Sequence, residues 1–142
     1  MATNTVLRPL PAKLSAGLAV LRIVIGIIFL VHGAQKLFIF GFSGVTKAFT
    51  GMGIPVPALT GPAAALVEFF AGIALIIGLL TRLAAFGLAI DMLGAILLVH
   101  LASGFFAPNG VEFPLSLLAA NVALTLTGAG AYSLDGLIQR RR

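Results

Sequence analysis

Four long apolar stretches fill most of this chain, and each is broken by at least one polar residue. Arg22 interrupts the first, Glu68 the second, Asp91 and His100 the third, and Asn121 the fourth. A charged side chain at the centre of a bilayer costs roughly 2.5–3.5 kcal/mol on insertion scales, so such groups turn inward and find partners. The fold must therefore bring these residues off the lipid and toward one another. Hydrophobic residues make up 60% of the sequence and charged residues 9%. Soluble domains run at about 45–50% and about 25%, which excludes a soluble fold. The net charge of +5 does not describe a nucleic-acid groove, because the Lys and Arg residues cluster at segment ends and tails. With no cysteine, disulfides and thiolate metal sites are excluded.

The expected fold is all-α: one domain over residues 1–142, a bundle of four transmembrane helices. The spans are read as Ser15–Leu37, Pro62–Leu80, Leu83–Leu101 and Pro114–Ala131, each near the 17–25 residues a bilayer core requires. The first is read as a retained helix rather than a cleaved leader, since it contains Arg22 and lacks a small-x-small cleavage pattern. Thr81 and Arg82 are read as the whole turn between spans two and three, making those spans antiparallel neighbours. Between spans one and two, Gly44–Gly53 followed by Ile54–Pro57 reads as a short interfacial helix ended by proline, covering the outer end of the bundle.

Depth follows from a rise of about 1.5 Å per residue. Arg22 and Asp91 are both expected roughly 10–12 Å from the inner boundary, where an Arg–Asp pair would spare each an unpaired charge. His32, Lys36, Glu68, His100 and Asn121 are expected in a second, outer layer. Arg22, Phe29, Gly33 and Lys36 share one face of the first helix, and Glu68, Gly72 and Leu75 share a stripe on the second. Packing those stripes puts Glu68 near His32 and Lys36. A regular third helix, in contrast, places Asp91 and His100 on opposite faces. Each group also has a plain structural use: Arg22–Asp91 as a clasp, Asn121 as interhelical glue, Lys36 as a snorkelling helix end. Bis-histidine haem ligation by His32 and His100 is an open but disfavoured alternative, and no metal-ligand spacing, phosphate loop or nucleophile elbow is present.

The series LRIVIGIIFLVHGAQKL (Leu21–Leu37), GIPVP (Gly53–Pro57), VEFFAGIALIIGLLTRLAA (Val67–Ala85), LVHLASGFF (Leu98–Phe106), NGVEFPL (Asn109–Leu115) and GAGAYSLD (Gly128–Asp135) resembles the DoxX family of small four-helix membrane proteins. The resemblance maps Arg22, His32, Gly33, Lys36, Glu68, Gly72, Thr81, Arg82, His100 and Tyr132 onto recurrent family positions, while Asp91 falls in no motif of it. It implies a redox neighbourhood: quinone-coupled sulfur oxidation, or membrane oxidoreductase complexes handling oxidative stress.

Together these features describe a small subunit or anchor of a quinone-linked system in a bacterial inner membrane. Glu68 and His32 are expected to handle protons, and Lys36, Arg22, His100 and Asn121 to hold a ligand. Its partners would be the bilayer, a membrane or peripheral redox protein, and further copies of itself, but not nucleic acid. A non-enzymatic scaffold and a proton or small-solute transporter are the rivals. Arg8, Lys13, Arg82, Arg140, Arg141 and Arg142 fall on the side of the termini, and only Lys36 and Lys47 on the other. Both termini are therefore expected in the cytoplasm. A reporter fused after Arg142 should be active as a cytoplasmic fusion and silent as a periplasmic one; the reverse pattern would invert the topology.

Overall fold

The computed structural model describes residues 10–141; Arg8 and Arg142, counted in the charge bias above, lie outside the described residues. Six α-helices follow in order: α1 Ala12–Ala34, α2 Gly41–Gly51, α3 Pro57–Ile77, α4 Thr81–Ala95, α5 Glu112–Thr127 and α6 Leu134–Arg140. Helix α1 widens into a π turn over Gln35–Phe40, and α4 does the same over Ile96–His100 before a short 3₁₀ turn, Leu101–Ser103. Three helical runs, Ala12–Gly51, Pro57–Ile77 and Thr81–Ser103, are long and apolar enough to cross a membrane, and α5 is a shorter apolar helix. The protein is a four-helix membrane bundle of α1, α3, α4 and α5. The large apolar side chains left exposed, such as Phe38 at 74% and Leu126 at 71%, form its lipid-facing surface.

Each spanning helix buries a stripe at three- and four-residue spacing, as a helix with one inward face must. On α1 this stripe is Ser15, Leu18, Arg22, Ile25, Phe29 and Gly33; on α3 it is Gly61, Ala65, Glu68, Ala71, Gly72 and Leu75. The most extensive packing joins α1 to α3 and α4 to α5, with α3 and α4 connecting the two pairs. Small residues make the first pairing possible. A Cβ on Gly72 would sit 3.0 Å from Leu30 Cα, and one on Gly33 would sit 2.7 Å from Phe69 Cα, so the two backbones nearly touch. The amphipathic helix α2 folds across the start of α3, where its buried Val45 presses against Gly61, as expected for the interfacial segment.

The helix ends differ from the sequence reading. Helix α3 starts at Pro57 rather than Pro62, because proline is as well suited to the first helical position there, and Pro62 is carried inside the helix. The link between α3 and α4 is Gly78–Leu80, and Thr81–Arg82 form the first turn of α4. Gly78 closes α3 in the left-handed conformation, at φ +71°. Leu80 is also left-handed, at φ +50°, a conformation that costs a non-glycine residue energy and needs outside support. Helix α5 stops at Thr127 instead of reaching Ala131, since Gly128 turns the chain at φ +79°.

The glycine contact makes a direct prediction. Gly33→Ala should destabilise the protein by about 1–3 kcal/mol, because the new Cβ meets backbone that cannot rotate away. Gly17→Ala, with nothing within 4 Å of the added carbon, should be neutral or stabilise by up to about 1 kcal/mol through helix propensity. Thermal midpoints of the two variants in the same detergent distinguish these outcomes.

Candidate functional site

Two polar groupings occupy the bundle; one contains the expected approach of Lys36 to Glu68, and neither contains the expected Arg22–Asp91 pair. Near the Gly78–Leu80 turn, Arg22 is 2% exposed and directs its guanidinium at backbone. Nη1 donates to the carbonyls of Leu75 and, at 2.7 Å, Ile76; Nη2 donates to the carbonyl of Tyr132, also at 2.7 Å. The last carbonyls of a helix have no intrahelical partner and carry its negative dipole end, so a cation is well placed there. Arg22 and Asp91 form no ion pair, which corrects the expected clasp. The cause is axial register: Arg22 lies level with Leu75–Gly78 at the end of α3. Asp91 stands ten residues into α4, roughly 15 Å from the same end.

The segment from Gly128 to Asp135 completes this knot. Asp135 accepts from the amides of Leu80 and Thr81, both at 2.9 Å, so a carboxylate from beyond α5 caps α4 and holds Leu80 in its left-handed geometry. The Asp135 amide donates back to the Gly78 carbonyl at 2.9 Å. Ser133 donates to the Gly130 carbonyl and caps α6 by accepting from the Gly136 amide. Sequence reasoning noted the YSLD text but missed the capping roles of Ser133 and Asp135. A Ser before a short helix was the available signal for the first, but nothing local signals a cap donated to a distant helix.

The second grouping lies deeper. Glu68, 5% exposed, stands nine residues before the end of α3, roughly 14 Å along the helix, at nearly the level of Asp91. Lys36 Nζ donates to Glu68 Oε2 at 2.5 Å, the one ion pair among the described residues. Asp91 lies close to Glu68 and Lys36, and its Oδ2 is shut off from solvent without a partner. Lys36, Glu68 and Asp91 thus form one cluster drawn from three helices. The expected two-layer separation of Glu68 from Asp91 is corrected: an α3 ending at Ile77 and an α4 starting at Thr81 put the two carboxyls level.

Gly33 sets up the cluster, since its missing side chain lets α1 lie against the Glu68–Phe69 backbone. The π turn that begins at Gln35 carries Lys36, and such turns recur at functional sites. Two carboxyl groups in contact can hydrogen-bond only through a proton, because ionised carboxylates accept and do not donate. The arrangement can therefore store and pass a proton away from bulk water, with Lys36 balancing the charge.

The remaining candidates stand apart. His32 is exposed on the outer face of α1, in an open groove of about 440 Å³ with Gln35 and Phe38, so Lys36 and not His32 is the ionisable neighbour of Glu68. His100 Nδ1 donates to the Asn109 carbonyl at 2.8 Å and pins the outer loop to the end of α4. Asn121 is fully buried on α5; Nδ2 donates to the Leu117 carbonyl at 2.9 Å, and Oδ1 is unpartnered.

With this geometry in view, comparison with known proteins places the chain. It matches the DoxX family over residues 17–101 and the family described as "TQO small subunit DoxD" over residues 63–142. The protein belongs to the DoxX family of small membrane proteins. It is similar to CatD of Bacillus subtilis (strain 168), provisionally named an oxidoreductase, with 33% identity over 122 residues, 86% of this chain and 87% of that protein. An uncharacterised membrane protein of Mycobacterium tuberculosis is 33% identical over 132 residues, covering 85% of this chain and 80% of its own. The inner membrane protein YphA of Escherichia coli (strain K12) is 31% identical over 124 residues, 83% and 87% of the two chains. No solved structure matches at a comparable level.

Double-mutant cycles on unfolding in detergent should separate the two groupings. Lys36→Met and Glu68→Gln should show a coupling energy on the order of 1–3 kcal/mol. Arg22→Lys and Asp91→Asn, which do not touch, should be additive to within about 0.5 kcal/mol. Strong coupling between Arg22 and Asp91 would contradict the register described here.

Proposed function

We propose that this protein is a multi-pass subunit of a quinone-linked redox system in a bacterial inner membrane, with both termini in the cytoplasm. In this reading the Lys36–Glu68–Asp91 cluster handles the protons of quinone reduction or quinol oxidation. The observation that carries it is the cluster itself: two carboxyls and an ammonium meeting inside an apolar bundle, an expensive arrangement to keep without a use. The relatives' names supply the context, one provisionally an oxidoreductase and one an inner membrane protein, as does the match to a small subunit of a larger enzyme.

The chemistry fits the residues present. A quinone needs hydrogen-bond donors at its carbonyl oxygens and a proton source beside them. Lys36 gives one hydrogen bond to Glu68 and keeps donors free, and its side chain is 21% exposed, within reach of a ring arriving from the bilayer. His32, one turn earlier on the outer groove, is placed to hydrogen-bond or relay at the lipid edge. Glu68 and Asp91 stand behind Lys36 as the proton store. The electrons are assigned to a partner protein, since the chain has no cysteine and so no thiol couple of its own.

Glu68→Gln tests this reading, because it keeps shape and most hydrogen bonding but cannot exchange a proton. In membranes from cells that express the variant in place of the wild type, the protein should assemble at normal levels. Electron transfer to a soluble ubiquinone analogue should fall by about 10²-fold or more, the usual scale for a lost acid–base group. Wild-type turnover by a well-assembled Glu68→Gln protein would make the cluster structural and the chain a scaffold. Quinone-independent proton flux by the purified protein in liposomes would instead make it a transporter.

A further inference from the structure

One cavity stands away from the polar cluster. It lies at the end of the bundle that holds the Gly78–Leu80 turn and α6, measures about 760 Å³, and opens between the start of α4, the end of α5 and α6. Its wall includes Thr81, Arg82, Gln139 and Arg140 on the polar side and Leu83 on the apolar side. The proposed reaction uses none of these residues.

Three observations give the cavity a ligand class. Arg82 and Arg140 line it, and neither forms an ion pair or side-chain hydrogen bond among the described residues. Asp135 shares the wall and accepts from the Leu80 and Thr81 amides, and its single negative charge set against the two arginines leaves the wall net positive. Finally, Leu83 is 67% exposed beside this polar wall, so an apolar lipid-facing surface runs directly into a cationic cavity.

We propose that this cavity binds the phosphate headgroup of an anionic phospholipid, with its acyl chains lying against the α4 surface around Leu83. Arg82 and Arg140 contact the phosphate. A lipid satisfies the cationic wall and the adjoining apolar face together, whereas free phosphate satisfies only the first. Basic pockets between helices at a membrane surface are suited to such headgroups.

The test is native mass spectrometry of the full-length protein released from detergent, titrated with phosphatidylglycerol, phosphatidylcholine or inorganic phosphate. Wild type should retain phosphatidylglycerol at least about tenfold more tightly than phosphatidylcholine, and inorganic phosphate should neither bind nor compete at millimolar concentration. Arg82→Gln with Arg140→Gln should lose about tenfold or more in phosphatidylglycerol affinity. Lys47→Gln, an exposed basic residue on α2, should lose none. Equal retention of the two lipids, equal loss in the Lys47 variant, or an unchanged affinity in the double-arginine variant would each overturn the proposal. Competition by inorganic phosphate would overturn the lipid assignment in favour of a free anion.

Discussion

The close approach of α1 and α3 governs the rest of the structure. In lipid there is no hydrophobic force to hold helices together, so contact depends on backbones packing closely and on hydrogen bonds between them. Gly33 and Gly72 allow that contact, and a Cβ at either position would overlap the opposite main chain. Once the two helices touch, their antiparallel register is set. Arg22 then meets the final carbonyls of α3, and Lys36 meets Glu68. Both polar groupings are consequences of one glycine-lined seam.

The seam also explains why the Gly78–Leu80 end of the bundle can afford irregular backbone. Residues 128–133 leave the helical path at the end of α5, where unpartnered main-chain groups would be costly. Arg22 reaches across from α1 to bond the Tyr132 carbonyl, and Asp135 crosses to the amides at the start of α4. One buried cation and one carboxylate thereby fasten the C-terminal segment to α1, α3 and α4. The sequence assigns Arg22 to a ligand site or to a pair with Asp91; in the structure it organises the backbone.

The four spanning helices were legible because apolar runs of that length have few other uses, and the inward faces followed from the 3.6-residue repeat that places Glu68, Gly72 and Leu75 together. The helix ends were less legible. Pro57 and Pro62 are equally acceptable starts on local grounds, and Leu80 adopts a left-handed conformation that no propensity favours. Those few residues shift the expected depths enough to separate Glu68 from Asp91, which stand level in the bundle. Pairing by charge failed for Arg22 for a more general reason. A guanidinium is satisfied equally well by carbonyl oxygens, every residue has one, and no sequence pattern marks which are free.

The two groupings differ in a way that bears on where chemistry can occur. At the Gly78–Leu80 end, Arg22 and Asp135 bond to main-chain atoms, so changing their partners would mean moving helix ends. At the cluster the bonds run between side chains, one of them a lysine with spare donors and one an aspartate with a free buried oxygen. A proton or a ligand carbonyl can be exchanged there by rotating Lys36 and redistributing one hydrogen between carboxyls, with the helices fixed. The rigid knot holds the register and the flexible cluster lies some 12 Å farther along the bundle, so reaction at the second need not disturb the first.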